Sequence, residues 1–300
     1  RASRINDVLG RYTEFAKISI PASLTLNGLK IVADCANGAA YKILPQILSE
    51  LGAEVVSIAV NPDGFNINEE CGSTKPEKAQ KAVLETGADL GICLDGDADR
   101  VLFIDEQGLL ANGDQVLGLL ARAWVNKNLL NKNTVVATIM SNLALELYLE
   151  KIGVSLIRTQ VGDKNVSKCM NEKGLNLGGE QSGHLILADY SNAGDGLITS
   201  LQVLSVLVES QKRASEVFDL FKPFPQSLVN IEAKKCNDFE KNEQIKNMLE
   251  DVQHSLNGRG RILIRKSGTE DVVRLMVEHK EKNKLQETID TCLSILKKKN

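Results

Sequence analysis

The stretch that decides the fold is Leu29-Lys30-Ile31-Val32-Ala33-Asp34, a small-residue loop from Cys35 to Ala40, an apolar stripe, and Glu54-Val55-Val56-Ser57-Ile58. The first six residues read as a buried strand. Leu44, Ile47, Leu48 and Leu51 recur at i, i+3, i+4 and i+7, which predicts one apolar face of a helix. Gly52 stands where a left-handed residue ends the last turn, and Glu54–Ile58 is the next strand. The design repeats further on. Thr134-Val135-Val136-Ala137-Thr138-Ile139 is a strand and Met140-Ser141-Asn142 a loop. Leu145, Tyr148, Leu149 and Ile152 form the stripe, Gly153 the stop, and Ser155-Leu156-Ile157 the following strand. Strand, helix, glycine, strand is the βαβ unit, which implies parallel strands covered by helices.

Between the repeats, Ala88–Leu94 and Val101–Asp105 read as two strands enclosing an acidic loop, and Gly196–Glu209 as a long apolar helix. Pro223 and Pro225 mark a linker. Beyond it the pattern changes: Arg261–Arg265 and Val272–Glu278 are strands, and Leu285, Ile289, Cys292 and Leu296 line one face of a last helix. The expected architecture is α/β: two consecutive βαβ-type mixed-sheet domains over 1–107 and 108–222, then a smaller α+β domain over 223–300.

Composition excludes several classes. An apolar fraction of 43% and a charged fraction of 25% suit a folded globular chain. A formal charge of -3 and 4% aromatic residues offer neither the basic stripe nor the stacking platforms of a nucleic-acid binder. The sequence has no run of about 18 apolar residues for a membrane span and no charged-then-apolar signal segment, so no membrane partner and a cytoplasmic location are expected. Six scattered cysteines, without CxxC or zinc spacing, read as reduced buried thiols.

Three motifs carry chemistry. In Asp95-Gly96-Asp97-Ala98-Asp99-Arg100, three carboxylates at i, i+2 and i+4 are expected to converge in a turn between strands. They would repel each other unless a hard divalent cation sat among them, and an all-oxygen set favours Mg²⁺. Arg100 adds a planar fork for phosphate oxygens. An EF-hand would need glycine where Arg100 stands, with helices on either side. An aspartyl-nucleophile phosphatase using Asp95 and a merely solvated acidic turn stay open at this point. In Gly178-Gly179-Glu180-Gln181-Ser182-Gly183-His184, the glycines admit a ligand to the backbone. Glu180, Ser182 and His184 alternate, so a carboxylate, a hydroxyl and an imidazole could share one face toward a sugar, unless the stretch is an ordinary turn. In Arg265-Lys266-Ser267-Gly268-Thr269-Glu270, with Arg274 beyond, hydroxyls, an opened turn and two guanidinium groups make an anion nest, or else a hairpin with solvated charges.

In this order and at these separations the motifs resemble the phosphohexomutase family over essentially the whole chain. Gly10-Arg11-Tyr12, Asp34 to Ala39, Pro62-Asp63-Gly64, Cys71-Gly72-Ser73-Thr74 and Gly194-Asp195-Gly196 resemble further signposts of that family. The resemblance implies a metal loop of Asp95, Asp97 and Asp99 holding Mg²⁺ with Arg100 bracing the phosphoryl group. It also implies a sugar loop of Glu180, Ser182, Gly183 and His184, with His184 as proton carrier or sugar contact. The phosphate loop would be Arg265, Ser267, Gly268 and Thr269 with Arg274. Gln181 and Cys71–Thr74 are closest to the amino-sugar branch, which implies glucosamine 6-phosphate converted to glucosamine 1-phosphate through a phosphoserine and a bisphosphorylated sugar. The branch acting on mannose and glucose phosphates is the alternative; a sugar-phosphate binding module is another. No serine among these residues is followed by His-Asn-Pro. The family's first domain, which carries that loop, is therefore expected to be missing as a partner, and the chain alone to be inactive; a homodimer stays open. Ala98 stands where the family has glycine, Lys164 where arginine is common, and Lys266 where proline is common.

Overall fold

The computed structural model describes residues 8–236, 241–267 and 270–297, except the side chain of Lys235. Contacts divide it into two compact units, one of residues 1–141 and 145–221 and one of 142–144 and 222–300.

The first unit opens with helix α1 (Val8–Ile18), strand β1 (Lys30–Asp34), helix α2 (Ile43–Glu50) and strand β2 (Glu54–Ile58). The α2 stripe is buried at Leu44, Ile47 and Leu48. Its end closes as expected: Gly52 is left-handed, donating to Ser49 O, and Ala53 donates to Leu48 O. Helix α3 (Glu77–Thr86) and strands β3 (Leu90–Leu94), β4 (Val101–Asp105) and β5 (Leu110–Ala111) follow. The order is β2-β1-β3-β4-β5, with β1 parallel to β2 and β3, and β4 antiparallel to its neighbours. β3 and β4 are buried at every position, which explains their unbroken apolar runs.

The repeat begins with helix α4 (Gly113–Asn126), whose amides are capped by Asn112 while Gln115 reaches back to the Asn112 N–H. Strand β6 (Thr134–Thr138), helix α5 (Leu143–Lys151), strand β7 (Ser155–Thr159), helix α6 (Asp163–Lys173) and strands β8 (Leu177–Gly179) and β9 (Leu185–Leu187) complete a second mixed sheet, β7-β6-β8-β9. Here β6 is parallel to β7 and β8, and β9 is antiparallel to β8. Helix α7 (Gly196–Ser210) and the short α8 (Ala214–Phe218) close the unit.

α7 is buried around its whole circumference, from Leu197 through Leu201 and Gln202 to Leu207. It packs on α1, α4, β4 and β9. One apolar core accordingly runs from Ile31, Leu94 and Phe103 through Leu117 and Leu201 to Val135 and Leu177. The second unit has strands β10 (Gln226–Glu232), β11 (Gly260–Lys266) and β12 (Val272–His279) in the antiparallel order β10-β12-β11. Helices α9 (Glu243–Ser255) and α10 (Lys282–Lys297) cover them, around Val273, Leu275, Val277, Ile289 and Leu296. Within this unit the fully buried Glu278 accepts from Arg261, Gln226 and the Leu143 amide. Cys35, Cys71, Cys93 and Cys292 are buried, and burial pushes their thiols above the ordinary range.

Trp124, the single tryptophan, is buried in the first unit and reports on that core alone. Phe103→Ala should destabilise the transition it follows by about 3–5 kcal/mol, the cost of truncating a buried aromatic. Urea denaturation monitored by Trp124 fluorescence measures this.

Candidate active site

Asp95 follows the last residue of β3 and is 5% exposed. Its Oδ1 accepts from the Arg100 amide at 3.1 Å, and its own amide donates to Arg100 O at 3.3 Å. Ala98 N–H returns to Asp95 O at 3.1 Å, so the six residues close on themselves. Neighbouring loops clamp this turn. Ala39 N–H donates to Gly96 O at 2.8 Å, and Ser73 N–H donates to Leu94 O at 2.8 Å. The fully buried Asp34 ties both clamps together, its carboxylate accepting from Ala36 and Gly72 amides at 3.0 and 2.8 Å. Burial pushes the Asp34 carboxyl up, against the pull of those amides.

The structure brings together two of the three aspartates rather than all three. Among the described residues no group of three or more His, Cys, Asp or Glu is gathered as a metal cage. Burial pushes the Asp95 carboxyl up and the adjacent Asp99 carboxylate adds to this, while the Arg100 amide and guanidinium oppose both. Arg100 Nε lies 3.4 Å from Asp95 Oδ2 and 3.8 Å from Asp99 Oδ1. Asp97 is exposed and borders a small cleft with Tyr12, Ile43 and Asp195. The i, i+2, i+4 spacing places alternate side chains together only in extended chain. Here the turn reverses at Ala98, whose φ of 61° is left-handed. The loop still suits a hard cation: every donor is an oxygen, and Asp99 Oδ1 is buried with no hydrogen bond to it.

The second motif leaves strand β8 at Gly179 and folds from Glu180 to His184 as a tight turn. Glu180 N–H donates to His184 O at 2.9 Å and Gly183 N–H to Glu180 O at 3.0 Å. Gly183 sits at φ 94°, where a Cβ would also lie 2.3 Å from Val101 O, so no other residue fits. The alternation of Glu180, Ser182 and His184 therefore does not put them on one face. Glu180 Oε1 accepts the Gly162 amide at 2.9 Å, at the start of α6. Ser182 is exposed. His184 is buried, with Nδ1 3.2 Å from Asp99 Oδ2. Its ring also lines a cavity of about 460 Å³ with Lys164, Lys168, Asn171 and Asn192.

The acidic turn and the glycine turn are joined through the backbone. Arg100 and His184 form an antiparallel β-bridge, and Val101 N–H donates to Gly183 O at 3.0 Å. Gly113 N–H, at the start of α4, holds the other side of the sugar turn through Gln181 O at 3.0 Å.

In the second unit Arg265 and Arg274 are directly opposite on β11 and β12. Like charges in that position repel, and Glu270 Oε2 partly answers them by accepting from Arg274 at 2.7 Å. Ser267 closes the turn, its amide donating to Val272 O at 2.8 Å while its Oγ accepts the Glu270 amide at 3.3 Å. Gly268 and Thr269 lie outside the described residues. Sequence reasoning passed over Asp34 and gave no role to Tyr12 or Asp195, whose side chains meet at 2.8 Å. The signal was their place in short signpost motifs, but nothing in sequence joins positions 183 residues apart.

A doubled mixed-sheet unit carries an acidic turn bridged to a glycine turn and is followed by a small antiparallel unit with facing arginines. The chain belongs to the phosphoglucomutase/phosphomannomutase family. Residues 11–108 match its alpha/beta/alpha domain II, residues 112–224 its alpha/beta/alpha domain III and residues 228–293 its C-terminal domain. It is 51% identical over 290 residues to the phosphoglucosamine mutase of Zymomonas mobilis, covering 97% of this chain and 65% of that protein. It is 50% identical over 296 residues to the phosphoglucosamine mutase of Bradyrhizobium diazoefficiens, covering 99% of this chain and 66% of that one. The chain thus spans just under two thirds of the length of these curated relatives. A phosphoglucomutase/phosphomannomutase family protein from Burkholderia thailandensis shares the fold at TM-score 0.80 and 22% identity, over 96% of this chain and 64% of that one. So does an Aspergillus fumigatus N-acetylphosphoglucosamine mutase, solved with GlcNAc-6P and magnesium, at TM-score 0.75 and 22% identity, over 95% of this chain and 69% of that one.

Ala98 pays for its left-handed backbone with Cβ crowding of about 1–2 kcal/mol, partly offset by the lower unfolded-state entropy of alanine. Ala98→Gly should therefore raise stability by about 0.5–1 kcal/mol, read as a higher denaturation midpoint.

Proposed function

We propose that these residues form the metal-binding, sugar-binding and distal-phosphate-binding parts of an enzyme that interconverts glucosamine 6-phosphate and glucosamine 1-phosphate. The observation that carries this reading is the Arg100–His184 bridge, which puts a cation-suited acidic turn and a sugar-suited turn side by side. The amino-sugar assignment is supported by relatives near 50% identity that are named phosphoglucosamine mutase.

Asp95 and Asp99, already side by side, would hold Mg²⁺ with Asp97 turned in from its exposed position; the ion when bound offsets the charge of a phosphoryl group in transit. Arg100, already resting against Asp95 and Asp99, presents its guanidinium to the same phosphoryl oxygens. His184 is oriented by Asp99 through Nδ1, and its Nε2 edge packs against Gly194, so a sugar contact or proton transfer by this ring requires the Gly194 segment to give way. Ser182, exposed on the turn, and Glu180 are the sugar contacts, with the Gly183 backbone shaping their approach. Glu180 already spends one oxygen on the Gly162 amide, so it offers the other. Arg265 and Arg274, with Ser267, Gly268 and Thr269, bind the distal phosphate. Its two negative charges relieve the repulsion of the facing arginines. In the first transfer the phosphorus–oxygen bond to a phosphoserine breaks as one to a sugar oxygen forms, and the sugar hydroxyl's proton ends on the freed serine oxygen; the second transfer runs the reverse at the other end of the sugar, returning a phosphoryl group to the serine and a proton to the sugar oxygen it leaves. No histidine in these 300 residues directly follows a serine, so the donor serine is assigned outside them. The chain by itself should give no sustained turnover. Asp95 is also a poor phosphatase nucleophile, being buried with Oδ1 engaged by the Arg100 amide.

In the full-length enzyme, Asp95→Asn should lower conversion of glucosamine 6-phosphate at saturating Mg²⁺ by about 10²–10³-fold, the usual loss on removing one charge-stabilising group. A coupled assay for glucosamine 1-phosphate measures it. Unchanged activity would remove the metal role, and turnover of mannose or glucose phosphates in preference would remove the amino-sugar assignment.

A further inference from the structure

Two short motifs remain without a role, Gly10-Arg11-Tyr12 on α1 and Gly194-Asp195-Gly196 at the start of α7. The structure joins them. The Tyr12 hydroxyl lies 2.8 Å from both oxygens of Asp195. Asp195 is the cap of α7, with Oδ1 accepting from Leu197 and Ile198 amides at 3.0 and 2.9 Å. One residue on, Gly196 N–H donates to Ala98 O at 2.9 Å. The approach is close enough that a Cβ on Gly196 would lie 2.6 Å from Leu94 Cδ2 and 3.0 Å from Ala98 O. Ala98 is the left-handed residue at which the acidic turn reverses.

We propose that Tyr12 and Asp195 are positioning residues for the acidic turn: the phenol fixes the Asp195 carboxylate, the carboxylate fixes the first turn of α7, and the Gly196 amide fixes Ala98 between Asp97 and Asp99. Three hydrogen-bonded links in series thus hold a residue in a backbone region that alanine otherwise avoids. The donor stays a donor: burial, with the Asp195 carboxylate beside it, pushes the Tyr12 hydroxyl far above its usual range, so it keeps its proton. Asp195 in turn divides its acceptor capacity between the phenol and two helix amides, all of which demand the same orientation. α1 therefore bears on the geometry of the aspartates without touching them. The inference concerns the same turn as the Mg²⁺ reading and rests on it for its functional meaning.

The test uses the 300-residue chain and the variants Tyr12→Phe and Asp195→Asn. Hydrogen exchange is followed by mass spectrometry, global stability by Trp124 fluorescence, and Mn²⁺ binding by electron paramagnetic resonance. Asp195→Asn keeps a good helix cap but turns one acceptor into a donor facing the phenol. Both variants should speed exchange of the Gly96–Arg100 amides by about tenfold, the effect expected on losing one hydrogen bond to a charged group. Exchange in α6 should stay unchanged, and Mn²⁺ binding should weaken severalfold. Faster exchange confined to α1 and α7, with the 96–100 amides unmoved in Tyr12→Phe, would overturn the proposal. If the unsubstituted chain shows no Mn²⁺ binding that Asp95→Asn abolishes, the metal reading falls, while the exchange result still decides whether Tyr12 and Asp195 position the turn.

Discussion

Everything in the site depends on two backbone segments meeting at the end of β3. The chain leaves β3 into an acidic turn, re-enters the sheet at Val101, and there takes up Gly183 O from the other sheet. Because Arg100 bridges His184, the acidic turn has no freedom to settle independently of the glycine turn. The charge cost is local and plain: Asp95 and Asp99 sit together, the Arg100 guanidinium lies beside both, and the His184 Nδ1 meets Asp99 Oδ2. A cluster assembled this way is held by main-chain geometry first and by charge second. That ordering suits phosphoryl transfer, where placement and charge neutralisation do most of the work.

The clamps around the turn extend this logic. Ala39, Ser73, Val101 and Gly196 each contribute an amide to the acidic turn, its flank or the turn bridged to it. Those residues come from four separate places in the chain, two loops, the first residue of β4 and the first residue of α7. Asp34 performs the same service one layer down, where its carboxylate replaces the water that two buried amides would otherwise lose.

Much of the fold was legible in sequence because it rests on short periods. The stripes of α2 and α5, the glycine stops at Gly52 and Gly153 and the buried runs of β3 and β4 are each decided by neighbours within seven residues. The βαβ repeat followed from them, whereas the antiparallel β4 and β9 depend on which strand edge is left open, a property of the assembled sheet. The site was legible as chemistry and less so as geometry. Spacing showed that carboxylates, glycines and arginines belong together. It could not show that Ala98 turns the chain left-handed and sends Asp97 outward, nor that Gly183 folds its motif into a turn that parts Glu180 from His184. Both outcomes are set by contacts with segments about 80 to 100 residues away, such as the Gly196 and Val101 backbones.

The all-round burial of α7 has a consequence for how the protein is made. Synthesis proceeds from the N-terminus, so β1 to β4 leave the ribosome roughly a hundred residues before the helix that packs on β4 and seals the same core. During that interval Leu94 and Phe103 have no final cover, and the five-stranded sheet exposes apolar surface of the kind that aggregates or recruits chaperones. The first sheet can thus be formed early but completed only late. Slow decoding before residue 196 would lengthen the vulnerable period, and a nascent chain halted there would be a substrate for quality control rather than a folded intermediate.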